Sequence, residues 1–166
     1  MIRLNTNLGA ITIELDHELA PKTAANFLQY AKDGFFEGTI FHRVIPGFVI
    51  QGGGMQSGLK EKPTRPPIEN EGENGLKNLR GTLSMARTQD PHSASSQFFV
   101  NLSDNTFLDH QAPTPAGWGY CVFGKVTDGM KIVDCIAAVP TGSRGPHQDV
   151  PVSDVIVESV EVIETP

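Results

Sequence analysis

Apolar residues in this chain fall in short runs that alternate with polar residues, and glycine or proline interrupts almost every run. The 17 glycines and 12 prolines amount to about 17% of the chain, against a usual share of roughly 12%. Because both residue types favour turns, this excess indicates many short strands joined by tight turns rather than a few long helices. The pattern therefore predicts a mainly β fold.

Length and composition set the broad class of the protein. With 166 residues, 39% of them hydrophobic and 19% charged, the chain is expected to form a single globular domain over residues 1–166. The longest nearly apolar stretch, residues 44–50, is far shorter than the ~20 residues of a membrane helix, and residues 1–6 have no apolar signal core. We therefore expect a cytoplasmic protein that does not enter membranes. Since no interface signal stands out, a monomer is the default expectation.

Charge is distributed unevenly along the chain. The formal net charge of −6 makes the protein a poor candidate for binding nucleic acid. Residues 43–87 hold seven basic and four acidic side chains, a net charge of +3, and the remainder holds six basic and fifteen acidic ones, a net charge of −9. The positive segment is either an ordinary solvated surface or a sign that Arg43 and Arg87 line one site.

Hydrophobic periodicity separates strands from helices along the chain. Helical spacing occurs twice, from Pro21 to a stop at Gly34 and from Thr127 or Asp128 to a stop before Pro140. Residues 55–80 look irregular, and residues 105–108 are expected to form one short helical turn. Alternation predicts strands over residues 2–4, 11–15, 40–45, 48–51, 81–87, 97–102, 120–126 and 155–163.

The last of these predicted strands has a mixed pattern. Val155 and Val157 fall on one parity, whereas Val160 and Val162 fall on the other. Either burial on both faces or a β-bulge would produce this pattern. Eight short strands with only two helices favour a closed eight-stranded antiparallel β-barrel capped by the two α-helices.

Common signatures of covalent or metal-dependent catalysis are missing from the sequence. No serine lies in a G-x-S-x-G motif, and the five histidines have no metal-binding spacing. We therefore expect no cofactor and no metal, although a fold that gathered three histidines would support a metal-dependent hydrolase. Gly52-Gly53-Gly54 lacks the Gly-Lys-Ser/Thr of a phosphate loop and indicates a strand end where the backbone bends or another group approaches closely. Cys121 and Cys135 lie in apolar stretches, so we expect both to be reduced and buried.

Isolated polar residues interrupt the apolar hairpin of residues 41–51. Arg43 and Gln51 could pair across the Pro46-Gly47 turn. Taken alone, they are equally well explained as strand-edge residues that face water or as the polar lining of a pocket. Similar isolated polar groups occur in Gly81–Arg87 and Ser96–Asn101.

Together these segments resemble the cyclophilin family of peptidyl-prolyl isomerases. The matching motifs are F-H-R-V-I-x-G-F-x-x-Q-G-G at Phe41–Gly53, G-x-L-S-M-A at Gly81–Ala86, S-Q-F-F at Ser96–Phe99 and V-F-G-K-V at Val122–Val126. The first motif is long and specific, and the likeness spans nearly the whole chain. Residues 117–123 look like the bacterial cytoplasmic branch. Cyclophilins are eight-stranded antiparallel barrels capped by two helices, which agrees with the pattern of strands and helices described above.

The resemblance implies a catalytic role for Arg43 and a supporting role for His42. It also implies substrate-binding roles for Phe48, Val49, Gln51, Ala86, Arg87, Gln97, Phe99, Phe107, Leu108 and Tyr120.

Three of these positions depart from the best-known eukaryotic pattern. Val49 stands where methionine is common, which makes the pocket wall shorter and stiffer. Phe107 replaces a tryptophan that donates an N–H to cyclosporin, so the resemblance implies weak cyclosporin binding at most. Tyr120 replaces a histidine and changes the rim of the pocket.

An isomerase of this family would rotate the X–Pro bond, whose barrier is ~18–20 kcal/mol because the amide is conjugated. No covalent bond breaks, so no nucleophile, base or cofactor is needed. We expect Arg43, as a buried cation, to donate to the prolyl nitrogen of the twisted amide, with Gln51 orienting it. The Ala86 and Arg87 backbone would pair with the peptide strand. The implied partners are proline-containing peptides and unfolded or folding proteins.

Less specific interpretations stay open at this point. By composition alone, Phe48, Phe99 and Leu108 would more often be plain core residues, and Tyr120 could be an ordinary barrel residue with its hydroxyl in water. The alternative function is a chaperone module that binds proline segments with little turnover. The intact Arg43 argues against such a module, because binding alone would not need a buried cation.

Overall fold

The structure, a computed structural model, describes residues 1–163; residues 164–166, the end of the predicted domain, lie outside the described residues. Residues 1–163 contain two α-helices, α1 at Pro21–Lys32 and α2 at Met130–Ala137, and two short 3-10 helices at Gly72–Asn74 and Thr106–Leu108. The second of these is the short helical turn predicted for residues 105–108. The strands are β1 Ile2–Thr6, β2 Gly9–Leu15, β3 Thr39–Ile45, β4 Val49–Gln56, β5 Lys60–Glu61, β6 Thr82–Met85, β7 Phe98–Asn101, β8 Val122–Asp128, β9 Thr141–Arg144, β10 His147–Pro151 and β11 Val157–Val162. None of the helices in this part of the chain is long and apolar enough to span a bilayer.

Eight of the strands form one antiparallel path in the order β11-β1-β2-β8-β6-β7-β4-β3, with the short β5 added beside β4. The two ends of the path come together, because Ile40 on β3 forms an antiparallel bridge with Ile156 just before β11. The amide of Phe41 also donates to the carbonyl oxygen of Val155 at 3.0 Å. The path therefore curls into a nearly closed barrel, which confirms the predicted fold class.

Strand alternation and the two helices fill the barrel with one apolar core. Ile2, Leu4, Ile11 and Ile13 point inward from the first hairpin, as their period-two spacing predicts. From α1, the centroid of the Phe27 ring lies 4.8 to 5.2 Å from the ring centroids of three other core phenylalanines, Phe36, Phe98 and Phe123. Helix α2 adds Val133 and Ile136 to the same cluster.

The mixed alternation near the end of the chain has a structural cause. In the pairing of β1 with β11, Asn5 lies opposite Ser159 and Thr6 lies opposite Val157, so Glu158 is an extra residue. This β-bulge shifts the parity, and both Val157 and Val160 can face the core. A bulge, rather than burial on both faces, explains the pattern.

Several sequence-based boundaries need correction. Helix α2 begins at Met130 instead of Thr127 or Asp128, because β8 continues to Asp128 and pairs there with Thr12. The hairpin of β9 and β10 was not predicted at all. Cys121 is buried as expected, but Cys135 is exposed on α2.

The glycine triplet lies within β4 and not at a strand end. Close approach of other groups does account for it. A Cβ atom on Gly53 would lie 2.7 Å from the Phe98 ring, and one on Gly54 would lie 2.4 Å from the Gln97 side chain. The triplet lets the segment that carries Gln97 and Phe98 pack directly on the β4 backbone.

Candidate active site

The hairpin of β3 and β4 places Arg43 directly opposite Gln51. The Arg43 Nη1 donates to Gln51 Oε1 at 3.4 Å, and Gln51 Nε2 donates to Gln97 Oε1 at 3.1 Å. The three side chains therefore form one row on the outer face of the barrel. In this row the side-chain amide of Gln51 accepts a hydrogen bond from Arg43 through its oxygen and donates one to Gln97 through its N–H.

An open cavity of about 220 Å³ lies beside this row. Its apolar walls come from strands whose alternate residues belong to the barrel core: Phe98 and Ile50 point inward, whereas Phe99 and Val49 point outward. The cavity therefore occupies the outer face of the sheet that closes the core. The residues that line it are Arg43, Phe48, Val49, Gln51, Ala86, Arg87, Phe99, Leu108 and Tyr120.

This arrangement decides between the open interpretations of several residues. Arg43 and Gln51 line a pocket, and Arg43 and Arg87 line the same one. Phe99 and Leu108 are buried, but they form a separate cluster with Val49, apart from the barrel core. The rings of Tyr120 and Phe99 pack in a T-shaped pair with their centroids 5.7 Å apart.

The prediction that Arg43 is a buried cation is wrong. Arg43 is exposed, although its guanidinium lies at the mouth of the apolar pocket. Its backbone sits on a strand whose neighbouring residues, His42 and Val44, are buried, so the alternation of β3 turns Arg43 outward. Only a molecule bound in the pocket would remove its guanidinium from water.

Arg87 is held by its surroundings. Its Nε donates to the carbonyl oxygen of Gly119 at 2.8 Å, and its Nη1 donates to that of Thr88 at 2.9 Å. The guanidinium also lies over the Tyr120 ring, 4.7 Å from the ring centroid.

The Ala86 backbone was predicted to pair with a bound peptide. Its amide N–H is already used within the protein, because it donates to the Gln97 carbonyl oxygen at 2.9 Å. Any peptide contact at Ala86 therefore uses its carbonyl group.

Three of the predicted site residues lie outside the pocket wall. Gln97 lies behind Gln51 and contributes no wall to the pocket. Phe107 is 67% exposed, and its ring is stacked on Phe48 at a centroid distance of 5.7 Å.

The third residue, His42, is buried on the other side of β3, and its Nδ1 has no hydrogen-bond partner among residues 1–163. Burial, with the nearby His147 and Arg43 as smaller contributions, lowers the pKa of His42 to about 4. His42 is therefore neutral at pH 7.

A buried polar network under the pocket was not predicted. The Asn78 backbone N–H and side-chain N–H both donate to the Asp109 carboxylate, at 2.7 and 2.9 Å. Asn101 donates to the Asn78 side-chain oxygen at 3.2 Å, and Asn105 donates to the Phe48 carbonyl oxygen at 3.0 Å. The network fixes the loop that carries Leu108 and the turn that carries Phe48. One sequence signal for it was available, since Asn101 is a polar residue at the end of an apolar strand.

Histidines do not gather into a cluster at this site. Within residues 1–163, no three His, Cys, Asp or Glu side chains come close enough together to hold a metal ion.

Comparison with known proteins gives consistent matches over the whole chain. Residues 1–162 match the model of the family described as cyclophilin type peptidyl-prolyl cis-trans isomerase/CLD. The chain is 57% identical to peptidyl-prolyl cis-trans isomerase B of Escherichia coli K12, over 99% of this chain and 100% of that protein. It is 54% identical to peptidyl-prolyl cis-trans isomerase cyp18 of Streptomyces antibioticus, over 98% of each.

The fold is similar to that of a solved cyclophilin type peptidyl-prolyl cis-trans isomerase from Cryptosporidium parvum, crystallised in the presence of the dipeptide Ala-Pro. The two structures superpose with a TM-score of 0.80 over 99% of each chain, at 29% sequence identity.

Proposed function

We propose that this chain, which belongs to the cyclophilin family of peptidyl-prolyl cis-trans isomerases, catalyses X–Pro rotation by placing the Arg43 guanidinium against the twisted amide. The observation that carries the proposal is the row Arg43–Gln51–Gln97 at the mouth of an apolar pocket. The pocket supplies the site for the proline ring, and the row supplies a fixed cation beside it.

The walls of the 220 Å³ pocket suit a proline ring. Val49, Phe99 and Leu108 are each at most 9% exposed and present only hydrocarbon to the cavity. A proline ring carries no N–H and gains from leaving water, so such walls favour it over polar side chains. The Cryptosporidium parvum relative was crystallised with Ala-Pro, and we infer that peptides and unfolded or folding chains present the same unit to this pocket.

Rotation of the X–Pro bond changes the charge at the prolyl nitrogen. In the planar amide the nitrogen lone pair is delocalised into the carbonyl group, and this conjugation makes the rotation barrier ~18–20 kcal/mol. At the midpoint of the rotation the lone pair returns to the nitrogen and can accept a hydrogen bond. Arg43 remains charged at all relevant pH values and donates to it there. The interaction forms mainly in the transition state, as catalysis requires.

Exposure of Arg43 in the free protein is compatible with this role. A peptide that fills the pocket covers the guanidinium, and the loss of water then strengthens its interaction with the nitrogen. One preorganised donor contributes about 3 kcal/mol to such a transition state. Fixing the peptide by the proline pocket lowers the barrier further, because the reacting bond is already oriented.

Replacing Arg43 tests the proposal directly. In Arg43→Ala we expect kcat/KM for a short Ala-Pro peptide to fall about 100- to 1000-fold, measured by NMR exchange between the cis and trans signals. The urea midpoint should stay unchanged, because Arg43 is exposed and forms no ion pair within residues 1–163. Arg43→Lys keeps the charge but loses the planar fork, so we expect it to recover only part of the loss.

The matched control is Arg3→Ala. Arg3 is also partly exposed and lies on β1, where it pairs with Glu161 at 3.1 Å, so its removal should leave the exchange rate unchanged. An Arg43→Ala protein with wild-type exchange would refute the role of Arg43.

A further inference from the structure

Four apolar residues of the proline pocket come from two kinds of segment. Val49 and Phe99 lie on β4 and β7, which pair with each other in the sheet. Phe48 lies in the turn before β4, and Leu108 ends the 3-10 helix Thr106–Leu108. Backbone pairing fixes the first two residues, whereas the other two belong to irregular segments, which are more mobile unless they are tied down.

Asn105 ties these two irregular segments together. Its side-chain N–H groups donate to the carbonyl oxygen of Phe48 at 3.0 Å and to Oδ1 of Asn101 at 2.9 Å. Its backbone carbonyl oxygen accepts a hydrogen bond from the Leu108 amide at 2.9 Å. Asn105 therefore holds the turn that carries Phe48 through its side chain and the turn that carries Leu108 through its backbone.

The side chain of Asn105 does not serve its own helix. Asn105 occupies the N-cap position of the 3-10 helix, where an asparagine side chain ordinarily accepts hydrogen bonds from the first N–H groups. Within residues 1–163 it forms no such capping bond. The residue is 4% exposed, and its side-chain N–H groups are directed to Phe48 and Asn101. The tie between the two pocket segments, and not the start of the helix, accounts for an asparagine at this position.

Ser103 adds a second tie between the same segments. Its hydroxyl donates to the carbonyl oxygen of Gly47 at 2.7 Å. The amide of Leu102 also donates to the carbonyl oxygen of Phe48 at 2.8 Å. The turn that carries Phe48 therefore cannot move away from the loop that carries Leu108 without breaking hydrogen bonds.

We propose that Asn105 is a positioning residue for the isomerisation, which fixes the distance between Phe48 and Leu108 so that the pocket accepts the five-membered proline ring and disfavours larger rings. The inference rests on the proposed function, since it assumes that a proline ring occupies this pocket. Walls that are held before the peptide arrives need no ordering on binding. If only a fraction of the molecules has its walls in place, the affinity falls in proportion to that fraction.

The tie made by Asn105 is separate from the row that carries Arg43. Within residues 1–163, Asn105 forms no hydrogen bond with Arg43, Gln51 or Gln97. Loss of the Asn105 side chain should therefore weaken peptide binding and leave the turnover of bound peptide nearly unchanged, because it removes an interaction that serves ground state and transition state alike.

Replacing Asn105 by alanine tests this separation. For Asn105→Ala we expect Kd for an Ala-Pro peptide to rise about fivefold, measured by NMR titration at a temperature where the urea curve shows the variant to be folded. The turnover rate at saturation, from exchange between the cis and trans signals, should stay within about twofold of the wild-type value.

A peptide with a larger ring tests the width of the pocket. Pipecolic acid is the six-membered analogue of proline, and its extra methylene overpacks a pocket whose walls are fixed. With the wild-type protein, we expect Kd for the pipecolic acid peptide to exceed that for the Ala-Pro peptide about tenfold. In Asn105→Ala this ratio should fall at least about threefold. A mere loss of stability reduces the amount of folded protein and leaves the ratio unchanged.

Asn74→Ala is the matched control. The side chain of Asn74 also donates to a backbone carbonyl oxygen, that of Val122 at 3.2 Å, but it lies outside the pocket wall. Its replacement should change neither Kd nor the ratio between the two rings.

Ser103→Ala is a milder variant of the same tie, because it removes the hydrogen bond to Gly47 and keeps Asn105. We expect a change in the same direction, with Kd raised about twofold and the ring ratio lowered. If Asn105→Ala does not fold, the ring ratio of Ser103→Ala decides: a lower ratio supports the proposal and a wild-type ratio overturns it.

Two further results would overturn the proposal. One is a folded Asn105→Ala protein with the wild-type Kd and ring ratio, and the other is an Asn74→Ala protein with the same shifts as Asn105→Ala. Both are distinct from failure of the Arg43 mechanism, which would appear as unchanged exchange of the Ala-Pro peptide in Arg43→Ala.

Discussion

Gln51 determines where the Arg43 guanidinium lies. It stands opposite Arg43 in the hairpin, accepts its hydrogen bond and is itself held by Gln97. An arginine side chain has many rotamers, and an exposed one is rarely fixed. The two glutamines therefore reduce the freedom of a group that must be in place when the amide twists.

We expect Gln51→Leu to lower kcat about tenfold, because Arg43 loses the acceptor that orients it. The change is measured by NMR exchange at saturating and subsaturating peptide, which separates kcat from KM. Gln97→Leu should have a similar but smaller effect, and the double variant should lose no more than Gln51→Leu alone, since Gln97 acts through Gln51.

Gln56→Leu is the control for this pair. Gln56 lies at the exposed end of the same strand and outside the pocket, so its replacement should leave kcat unchanged. Additive losses in the Gln51 and Gln97 variants would contradict a serial arrangement.

The sequence could predict which single residues lie at the pocket where those residues belong to a specific motif. The motif at residues 41–53 contains Arg43, Val49 and Gln51, and all three line one pocket in the structure. The exposure of Arg43 was not foreseen, because a motif fixes the residue type and not the amount of water around it. The network of Asn78, Asn101 and Asp109 was also missed, since its members come from separate segments and each alone resembles a turn residue.

At the scale of secondary-structure elements, the β4 glycines allow β4 and the Gln97–Phe98 segment to come close. Gly53 has a φ of +91°, and a Cβ atom at this position would lie within 3 Å of both the Phe98 ring and the Ser96 carbonyl oxygen. Gly47, in the turn before β4, has a φ of +75°, but a Cβ atom there would have no neighbouring atom within 4 Å. The two glycines share the positive φ and differ in the space around them.

This difference gives a prediction with a built-in control. Gly47→Ala should lower the free energy of unfolding by about 1 kcal/mol, which is the effect of a left-handed backbone alone. Gly53→Ala should lower it by at least about 3 kcal/mol, because the added methyl group also forces Phe98 to move. Urea unfolding of both variants measures the difference, and equal losses would show that crowding at Gly53 is unimportant.

The elements that could be predicted are those with a clear apolar period. Helix α1 begins at Pro21 as expected, with Phe27 and Ala31 on its buried face. The hairpin of β9 and β10 could not be predicted, since all four residues of β9 are exposed and the hairpin buries only Val150 and Pro151. A strand with no buried face leaves no hydrophobic alternation in the sequence.

For the whole molecule, His42 links stability to pH. Burial lowers its pKa to about 4 in the folded protein, against ~6.5 in an unfolded chain. The unfolded chain therefore binds more protons between these values, and the free energy of unfolding falls as the pH drops from 6.5 towards 4. At pH 5 the contribution of His42 to this loss is about 2 kcal/mol.

Urea unfolding at pH 7 and pH 5 measures this contribution. His42→Phe keeps a planar ring and removes the titrating group, so we expect its loss of stability between the two pH values to be about 2 kcal/mol smaller than that of the wild-type protein. His17→Phe replaces a histidine on the surface and should retain the wild-type dependence. If His42→Phe loses as much as the wild-type protein, then His42 is not the buried titrating group.

Barrel architecture as a whole was predictable because eight short strands and two helices leave few compact arrangements. The near closure between β3 and β11 joins residues more than a hundred positions apart. No local pattern encodes such a pairing, so the strand count indicated a closed barrel without indicating which strands would close it. The arrangement matters for function because the same closed sheet keeps its apolar residues inside and presents the proline pocket outside.

Separating peptide binding from turnover in Arg43→Ala tests the central claim most directly. NMR titration with an Ala-Pro peptide gives Kd, and exchange between its cis and trans signals at saturation gives the turnover rate. We predict a Kd within about threefold of the wild-type value and a turnover rate reduced at least about 100-fold, because Arg43 acts mainly in the transition state. A large rise in Kd with turnover preserved at saturation would contradict this and make Arg43 a binding residue only.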